Sequence, residues 1–346
     1  MDGQGHHRPD DGRRSRRGVA TQLVRPGEPT AHFGTDDGTG GHTDGGTDGR
    51  TLRPLTPPYL ERLGARIAAT RAVLCVGVDP DPAALPDGFP PTLAGVERFA
   101  RLIVEASLPY AAAFKPNLAF FEAYGSPGMA ALERLRAMVP SDVPFIADAK
   151  RGDIGSTASR QAMALFDALG ADAVTVSPYL GREAIAPLLE RADRFAYVLC
   201  RTSNPGGAEL QGLVVEADRA AGHPAEPLWG RVARVAQTWG PGGTVGLVVG
   251  ATAPAELAAI RSISPSLAFL VPGVGAQGGE IAPVLAAGPA AGGPASREAG
   301  GALLVNVSRG IARAALQTVA DGGPVDPGER LAAEAAEWAS RLAVLT

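Results

Sequence analysis

The chain contains only two lysines, Lys115 and Lys150, and both stand at the ends of apolar runs. The remaining 30 of its 32 basic residues are arginines. An arginine guanidinium stays protonated in proteins, whereas a lysine ammonium is compact and can give up its proton. In a chain that otherwise uses arginine for positive charge, the two lysines indicate places where such an ammonium is needed.

The tightest group of charges is the segment DAKRGD, residues 148–153. Side chains alternate along a strand with a period of two, so the sequence predicts that Asp148 and Lys150 point to the same face. Asp153 follows in the loop. An ion pair closing the end of a strand is the structural alternative, but it does not account for a second lysine and further aspartates after neighbouring strands. The segment therefore indicates a charged catalytic centre.

Two later segments are suited to binding a phosphate. The first is GVGAQGG (273–279) and the second is VSRGI (307–311). Glycines let backbone N–H groups approach an anion, a helix N-terminus adds its dipole, and an arginine offers two parallel donors. A common glycine-rich loop and a surface arginine are the alternatives for each segment alone. Together they predict a phosphate site that includes Gln277, Ser308, Arg309 and Gly310.

These residues follow a series of short apolar runs that predict strands buried on both faces. Helical patterns separate the runs, such as the i, i+3, i+4, i+7 spacing of Ala162, Leu165, Phe166 and Leu169. Eight such units predict a (β/α)₈ TIM barrel, with a doubly wound sheet as the alternative. The runs span residues 72–79, 110–116, 143–150, 172–178, 194–201, 244–250, 267–273 and 302–308.

In a TIM barrel, active sites lie at the C-terminal ends of the strands. The polar residues at the ends of the eight runs are therefore expected to meet at one end of the barrel. This set contains both lysines, which would favour helix exteriors if they served only to solvate the surface. Its members are Asp79, Lys115, Asn117, Asp148, Lys150, Asp153, Ser177, Ser203, Asn204, Gln277 and residues 306–310.

The parts of the chain outside the barrel pattern carry no clear chemistry. Residues 1–55 are rich in Gly, Asp, Thr and Arg without apolar periodicity, which predicts a disordered tail before a catalytic domain at 56–346. The tract at 286–301 predicts a flexible surface insertion, too poor in large apolar residues to pack. A net charge of −4 argues against nucleic acid or a membrane surface as partner. Only the arginines at 13–17 leave a nucleic-acid role open.

The positions of the cysteines and histidines further narrow the class of protein. Cys75 and Cys200 lie inside apolar runs, which is typical of a reduced, cytoplasmic protein. Four of the five histidines fall in residues 1–55, which argues against a histidine metal site or a Ser-His-Asp triad. No apolar stretch approaches the roughly 18 residues of a membrane helix.

Five segments together resemble the orotidine 5′-phosphate decarboxylase family, and its longer bacterial (type 2) branch most. They are GVDP (77–80), AFKPN (113–117), FIADAKRGDIGSTA (145–158), PGVGAQGG (272–279) and VNVSRGI (305–311). They occur in the family's order within residues 57–345. The resemblance implies a cofactor-independent carboxy-lyase that converts orotidine 5′-phosphate to uridine 5′-phosphate (UMP) and CO₂ in pyrimidine biosynthesis.

Carried over by position, the resemblance also assigns roles to residues. The family's charged tetrad falls on Lys115, Asp148, Lys150 and Asp153, with Lys150 as the proton donor. Asp79 and Lys115 would contact the ribose, Ser203 the pyrimidine, and Gln277 with Arg309 the phosphate. Asn117, Ser308 and Gly310 are expected to line the same site. The family acts as a homodimer in which the residues matching Asp153 and Thr157 reach into the partner's site.

Three other readings of the same residues stay open at this point. A sugar-phosphate lyase with a similar D-x-K-x-x-D element would use a divalent metal ion. An aldolase would use one lysine as a Schiff-base nucleophile, although flanking aspartates disfavour that role. A non-catalytic nucleotide-binding protein would keep the phosphate site, but would have no reason to place two lysines and two aspartates together.

Overall fold

The computed structural model describes residues 56–316 and 326–344, and the predicted tail at 1–55 lies outside these residues. Within them the chain forms ten strands. These are β1 (Leu74–Val78), β2 (Ala113–Pro116), β3 (Ile146–Arg151), β4 (Ala173–Val176), β5 (Phe195–Arg201), β6 (Val214–Val215), β7 (Glu226–Pro227), β8 (Val245–Val249), β9 (Ala268–Pro272) and β10 (Leu304–Val307).

Eight of these strands form one parallel sheet in the order β2-β1-β10-β9-β8-β5-β4-β3. The two edge strands meet through parallel bridges between Phe114 and Phe145 and between Asn117 and Asp148. Those bridges close the sheet into a barrel, which confirms the predicted (β/α)₈ fold over the doubly wound alternative. Seven of the eight predicted runs contain one barrel strand each, and the run at 143–150 overlaps β3, which ends one residue later. The short strands β6 and β7 pair with each other as an antiparallel hairpin after β5.

Helices separate the barrel strands, as the apolar periodicity predicts. The α-helices are α1 (Tyr59–Thr70), α2 (Leu93–Ser107), α3 (Ala119–Glu122), α4 (Gly125–Met138), α5 (Gly155–Ala162), α6 (Ala186–Leu189), α7 (Gly207–Gln211), α8 (Leu228–Ala236), α9 (Pro254–Ile263), α10 (Ile281–Ala287), α11 (Arg309–Ala312) and α12 (Pro327–Arg341). Short 3₁₀ segments cover Pro82–Ala84, Arg182–Ala184, Ala295–Arg297, Ala299–Ala302 and Arg313–Leu316. Among residues 56–316 and 326–344, no helix is both long and apolar enough to cross a membrane.

The predicted helix before β4 continues as a π-helical segment. Helix α5 ends at Ala162, and Met163–Ala168 follow with π geometry. The four residues of the apolar stripe are nonetheless buried, from Ala162 to Leu169. The helical spacing thus predicts the buried face correctly although the hydrogen-bond pattern changes along it.

The N-terminal end of the barrel is held by one buried carboxylate. Asp172, just before β4, accepts hydrogen bonds from Arg62 at 2.7 Å and from Arg194 at 3.2 Å, and Arg136 lies 3.5 Å away. Its other oxygen accepts from the backbone N–H of Phe145 at 2.9 Å. A buried charge is tolerated when it is paired and hydrogen-bonded in this way. Asp172 therefore stabilises the N-terminal end of the barrel, and the predicted site residues stand at the opposite end.

The tract at 286–301 packs against the barrel through small residues. Ala290 and Ala295 are buried, and the N–H of Ala291 donates to the carbonyl of Pro265, outside the tract, at 2.9 Å. The prediction that the tract is too poor in large apolar residues to pack is therefore wrong for these residues. Alanine and glycine pack here by letting backbones approach closely. The flexibility of the tract stays a prediction.

Candidate active site

A chain of three charged side chains lies at the C-terminal end of strands β2 and β3. The ammonium Nζ of Lys115 is 2.5 Å from Asp148 Oδ2, and that of Lys150 is 2.6 Å from Asp148 Oδ1. One carboxylate thus holds both lysines of the chain. Lys115 is buried, whereas the Lys150 side chain is 51% exposed and reaches the opening above the barrel.

Asp148 and Lys115 favour each other's charged state. Burial raises the pKa of Asp148, but the charges of Lys115 and Lys150 outweigh it, and the pKa lies far below that of an ordinary aspartate. Burial lowers the pKa of Lys115, but Asp148 and then Asp79 outweigh it and raise the pKa above the ordinary value. Both groups therefore stay ionised over roughly pH 5 to 9. The stability that Asp148 contributes through its lowered pKa is lost only as the pH falls below this range.

Strand β3 is not a regular strand where it carries these residues. Its pairing with β4 runs from Ala147 opposite Val174 directly to Arg151 opposite Val176, so the register shifts between them. Lys150 lies inside this bulge with φ of +48°, a left-handed conformation that costs a residue with a side chain roughly 1–2 kcal/mol. Asp148 and Lys150 do meet, as the alternation rule predicts, but through a bulge rather than through extended geometry.

Thr175 on β4 contacts this bulge. Its hydroxyl accepts the backbone N–H of Ala149 at 3.1 Å and that of Lys150 at 3.0 Å. It also donates to Asp148 Oδ1 at 2.8 Å. No motif in the sequence predicts Thr175 as a site residue. The available signal was a polar residue in the otherwise apolar strand AVTV.

These groups face a cavity of about 260 Å³ at the C-terminal end of the barrel. Ten of the twelve predicted site residues line it, so the expected convergence at the strand ends occurs. They are Asp79, Lys115, Asn117, Asp148, Lys150, Ser203, Gln277, Ser308, Arg309 and Gly310. Asn204 and Asn306 also line the cavity, whereas Ser177 does not. The N–H of Ser177 instead donates to the carbonyl of Arg151 at 2.7 Å.

Part of the cavity wall is apolar, and the positions of the polar residues in the sequence do not predict it. Leu199, Val248, Leu270 and Pro272 contribute this wall from strands β5, β8 and β9. They belong to apolar runs in which pocket residues cannot be told from core residues by pattern alone. A planar ring can lie against such a wall while its polar edge meets Ser203 and Asn204.

Two oxygens in the cavity are buried without a hydrogen-bond partner among residues 56–316 and 326–344. They are Asp79 Oδ1 and Ser308 Oγ. Buried polar atoms are nearly always satisfied in native proteins, so such atoms call for a partner. A carboxylate oxygen is a suitable acceptor for hydroxyl groups, and Asp79 lies at the end of β1 on the same side of the cavity as Lys115 and Asn117. This side is suited to a polyhydroxylated ligand such as a ribose.

The glycine-rich loop after β9 forms a tight turn. Gly273, Gly275 and Gly278 all have positive φ, between +73° and +102°. The N–H of Gly279 donates to the carbonyl of Gly273 at 3.0 Å and closes the turn. Gln277 of this loop and Arg309 after β10 both line the cavity. The predicted pair of phosphate-binding segments thus comes together.

Trp338 of helix α12 lies beneath both of these segments. A methyl group at Gly275 would meet the indole at 2.9 Å, and one at Gly310 would meet it at 3.1 Å. The buried indole donates through Nε1 to Glu334 at 2.8 Å, which orients the ring. The two glycines are therefore required by the close approach of this ring, a contact between residues far apart in sequence.

Asp153 and Thr157 do not line the cavity. Asp153 accepts a hydrogen bond from the N–H of Ile154 at 2.8 Å, and Thr157 is exposed on helix α5. Large apolar side chains are exposed around them, with Ile154 at 60% and Tyr179 at 81%. Asp153 and Thr157 are thus the two residues of the predicted twelve that lie outside the cavity of their own chain.

The chain is similar to known proteins over most of this barrel. The model of the Orotidine 5′-phosphate decarboxylase / HUMPS family matches residues 72–321. Proteins named orotidine 5′-phosphate decarboxylase from Herpetosiphon aurantiacus and Thermomicrobium roseum are each 46% identical over 254 residues, which is 73% of this chain and 88% and 86% of theirs. The structure of Leishmania donovani OMP decarboxylase matches with a TM-score of 0.66 at 38% identity, over 82% of this chain and 98% of that one.

Proposed function

The chain belongs to the orotidine 5′-phosphate decarboxylase / HUMPS family, and we propose that its charged cavity converts orotidine 5′-phosphate to UMP and CO₂. It is then a carboxy-lyase of pyrimidine nucleotide biosynthesis. The observation that carries this function is that Lys115, Asp148 and Lys150 share one cavity with the two segments predicted to bind phosphate. Loss of orotidylate absorbance on incubation with the purified chain tests it directly, and a chain that only binds nucleotides would leave the absorbance unchanged.

We assign the substrate one orientation in this cavity. The phosphate binds between Gln277 and Arg309, and the ribose hydroxyls meet Asp79 and Asn117 at the ends of the neighbouring strands β1 and β2. The pyrimidine then lies against Leu199, Val248 and Leu270 with its polar edge toward Ser203. Its C6 atom faces Lys150, because Lys115, Asp148 and Lys150 form the remaining wall of the cavity.

Decarboxylation at C6 leaves an electron pair that no neighbouring carbonyl can delocalise. The bond between C6 and the carboxylate carbon breaks, CO₂ leaves, and the pair stays on C6. The ammonium of Lys150 stabilises this carbanion by its charge and then donates a proton to it, which forms the C6–H bond of UMP. Lys150 regains its proton from water. No electron sink is required from a cofactor in this scheme.

Asp148 has two duties in this mechanism. It holds the Lys150 ammonium at 2.6 Å, which aims it, and the charges of Lys115 and Lys150 keep the pKa of Asp148 low. A substrate carboxylate placed beside it would be repelled, and that repulsion disappears when CO₂ leaves. Asp148 thus positions Lys150 and destabilises the bound substrate by repelling its carboxylate.

A metal-dependent lyase on the same barrel is the nearest alternative. In the part of the chain that the structure describes, no three His, Cys, Asp or Glu residues gather into a metal-binding group. The Asp148 carboxylate is already held between two ammonium groups, which would repel a divalent cation. We therefore predict that EDTA at about 10 mM leaves the turnover number within about twofold of its untreated value. A loss that added Mg²⁺ or Zn²⁺ restores would favour the metal-dependent reaction.

A Schiff-base aldolase is disfavoured by the same ion pairs. Imine formation needs a neutral amine, and both ammonium groups here are bound to a carboxylate. Borohydride treatment in the presence of substrate should trap no covalent adduct. A mass increase on either lysine would support the aldolase instead.

The phosphate-binding arginine should affect turnover as well as affinity. We predict that Arg309→Ala lowers kcat/KM by about 10²- to 10⁴-fold, because two charge-assisted hydrogen bonds of about 1.5–3 kcal/mol each are lost. Part of the loss, at least about tenfold, should appear in kcat, because remote binding energy helps to assemble the charged site. Steady-state kinetics at saturating substrate separate the two terms.

Arg313→Ala provides a matched control for this substitution. Arg313 follows Arg309 by one helical turn; it does not line this cavity, but it lines a second one that Arg309 also reaches. Its removal should leave kcat/KM within about threefold. An unchanged kcat for Arg309→Ala would contradict the proposed use of phosphate binding energy.

We further propose that the functional unit is a homodimer. Four large apolar side chains, Ile154, Met163, Tyr179 and Leu180, are exposed on the segments that follow β3 and β4, the first of which also carries Asp153 and Thr157. Large apolar surfaces of this kind mark sites of protein association. Lys150 is half-exposed on that side of the cavity, so a second subunit could bring its Asp153 and Thr157 to it. The homodimer supplies the fourth member of the charged tetrad. A cytoplasmic location and the absence of nucleic-acid partners stay predictions.

A further inference from the structure

Lys150 owes its position to an irregularity in the barrel wall. Between the paired residues Val174 and Val176, β4 has a single residue, Thr175, whereas β3 has three residues between Ala147 and Arg151. A bulge with extra residues on one strand leaves backbone groups that the neighbouring strand cannot pair. Here the unpaired N–H groups are those of Ala149 and Lys150, immediately before and at the proposed proton donor.

The Thr175 hydroxyl takes the place of the missing backbone acceptors. It accepts both N–H groups, at 3.1 and 3.0 Å, and donates its own proton to Asp148 Oδ1 at 2.8 Å. A hydroxyl can donate one hydrogen bond and accept two. The Thr175 hydroxyl is thus fully used by the protein, and no capacity remains for a substrate although the side chain lines the cavity.

The backbone conformation at Lys150 shows what these bonds maintain. A φ of +48° is uncommon for a residue with a side chain and persists only where the surroundings impose it. Thr175 is 2% exposed on a strand packed inside the barrel, so it is a rigid support. It binds the N–H of Lys150 and the carboxylate that holds the Lys150 ammonium, and thereby restrains both ends of the same side chain.

We propose that Thr175 is a positioning residue for decarboxylation: its hydroxyl holds the β3 bulge in the geometry that aims Lys150 and Asp148 at the substrate. The proposal rests on the proposed function, since it assigns Lys150 as the group to be aimed. It requires the hydroxyl rather than the shape of the side chain. Serine should therefore replace threonine, and the isosteric valine should not.

The test compares Thr175→Val with Thr175→Ser in steady-state assays with orotidine 5′-phosphate. We expect the valine variant to lose about 10²-fold or more in kcat, because a misplacement of about 1 Å in a catalytic group has that effect. Its KM and its affinity for UMP should stay within about threefold, because Thr175 makes no contact that binds the nucleotide. The serine variant should keep kcat within about fivefold of the wild type.

Thr244→Val is the matched control for removing a buried threonine hydroxyl. Thr244 is also 2% exposed, immediately before β8, and its hydroxyl has no hydrogen-bond partner in the described part of the chain. It does not line the cavity, so kcat should not change. Circular dichroism and UMP binding establish that each variant is folded, and Thr175→Ala replaces the valine variant if that one does not fold.

Four results would overturn the proposal. Valine and serine variants with equal losses would show that the hydroxyl by itself does not maintain the geometry of the bulge. A Thr175→Val enzyme with wild-type kcat, or with a raised KM alone, would remove the positioning role, and an equal loss in Thr244→Val would indicate a general packing effect. A wild-type chain that does not decarboxylate orotidine 5′-phosphate would instead refute the proposed function itself.

Discussion

Replacing Lys150 with alanine is expected to lower kcat by at least about 10⁴-fold. The substitution removes the general acid, which alone contributes about 10²- to 10⁴-fold, and the ammonium that stabilises the carbanion. Product binding should persist, because UMP is held by the phosphate and ribose contacts on other walls of the cavity. A spectrophotometric assay with excess enzyme measures the residual rate, and titration with UMP measures the binding.

The fold should tolerate this substitution. The Lys150 side chain is half-exposed, and Asp148 keeps its ion pair with Lys115 when Lys150 is removed. Surface ion pairs contribute at most about 1 kcal/mol, so the unfolding temperature should change little. Residual activity within tenfold of the wild type would refute the assignment of Lys150 as the proton donor.

Lys150→Arg separates the two duties of this side chain. It keeps a positive charge near C6, but a guanidinium does not release its proton in proteins. We expect the arginine variant to remain at least about 10³-fold impaired, because charge alone does not form the C6–H bond. Substantial recovery with arginine would show that charge stabilisation suffices and that water supplies the proton.

Mixing two inactive variants should restore activity if Asp153 acts across a dimer interface. Lys150→Ala subunits carry an intact Asp153, and Asp153→Ala subunits carry an intact Lys150. In a twofold dimer, random mixing at equal amounts makes half of the dimers mixed, with one complete site each, so about a quarter of the wild-type activity should appear. The rate is measured after subunit exchange at low protein concentration.

A second mixture provides the control. Asp148 and Lys150 are bonded within one chain at 2.6 Å, so Lys150→Ala and Asp148→Asn subunits cannot complete each other's sites. That mixture should stay inactive. If the mixture containing Asp153→Ala also stays inactive although gel filtration shows dimers, then Asp153 acts within its own subunit or does not act.

Much of the site was accessible from the sequence because its polar residues stand at strand ends. The apolar runs predict the eight barrel strands, and parallel strands in a closed barrel bring their C-terminal ends together whatever the details of packing. For that reason Lys115, Asp148 and Gln277 could be assigned to one cavity from their positions alone. The same reasoning does not detect apolar pocket residues such as Leu270, because a strand buried on both faces shows no difference between core and pocket.

The arrangement of the two lysines shows where sequence reasoning ends. The residue types and their place after β2 and β3 follow from the sequence, since only a compact ammonium suits the task and strand order sets the neighbours. The left-handed backbone at Lys150 does not follow from it, because the bulge depends on a hydroxyl that β4 presents from across the sheet. Trp338 likewise reaches Gly275 and Gly310 only through the packing of the last helix. Local sequence determines which groups are available, and long-range contacts determine the angles at which they act.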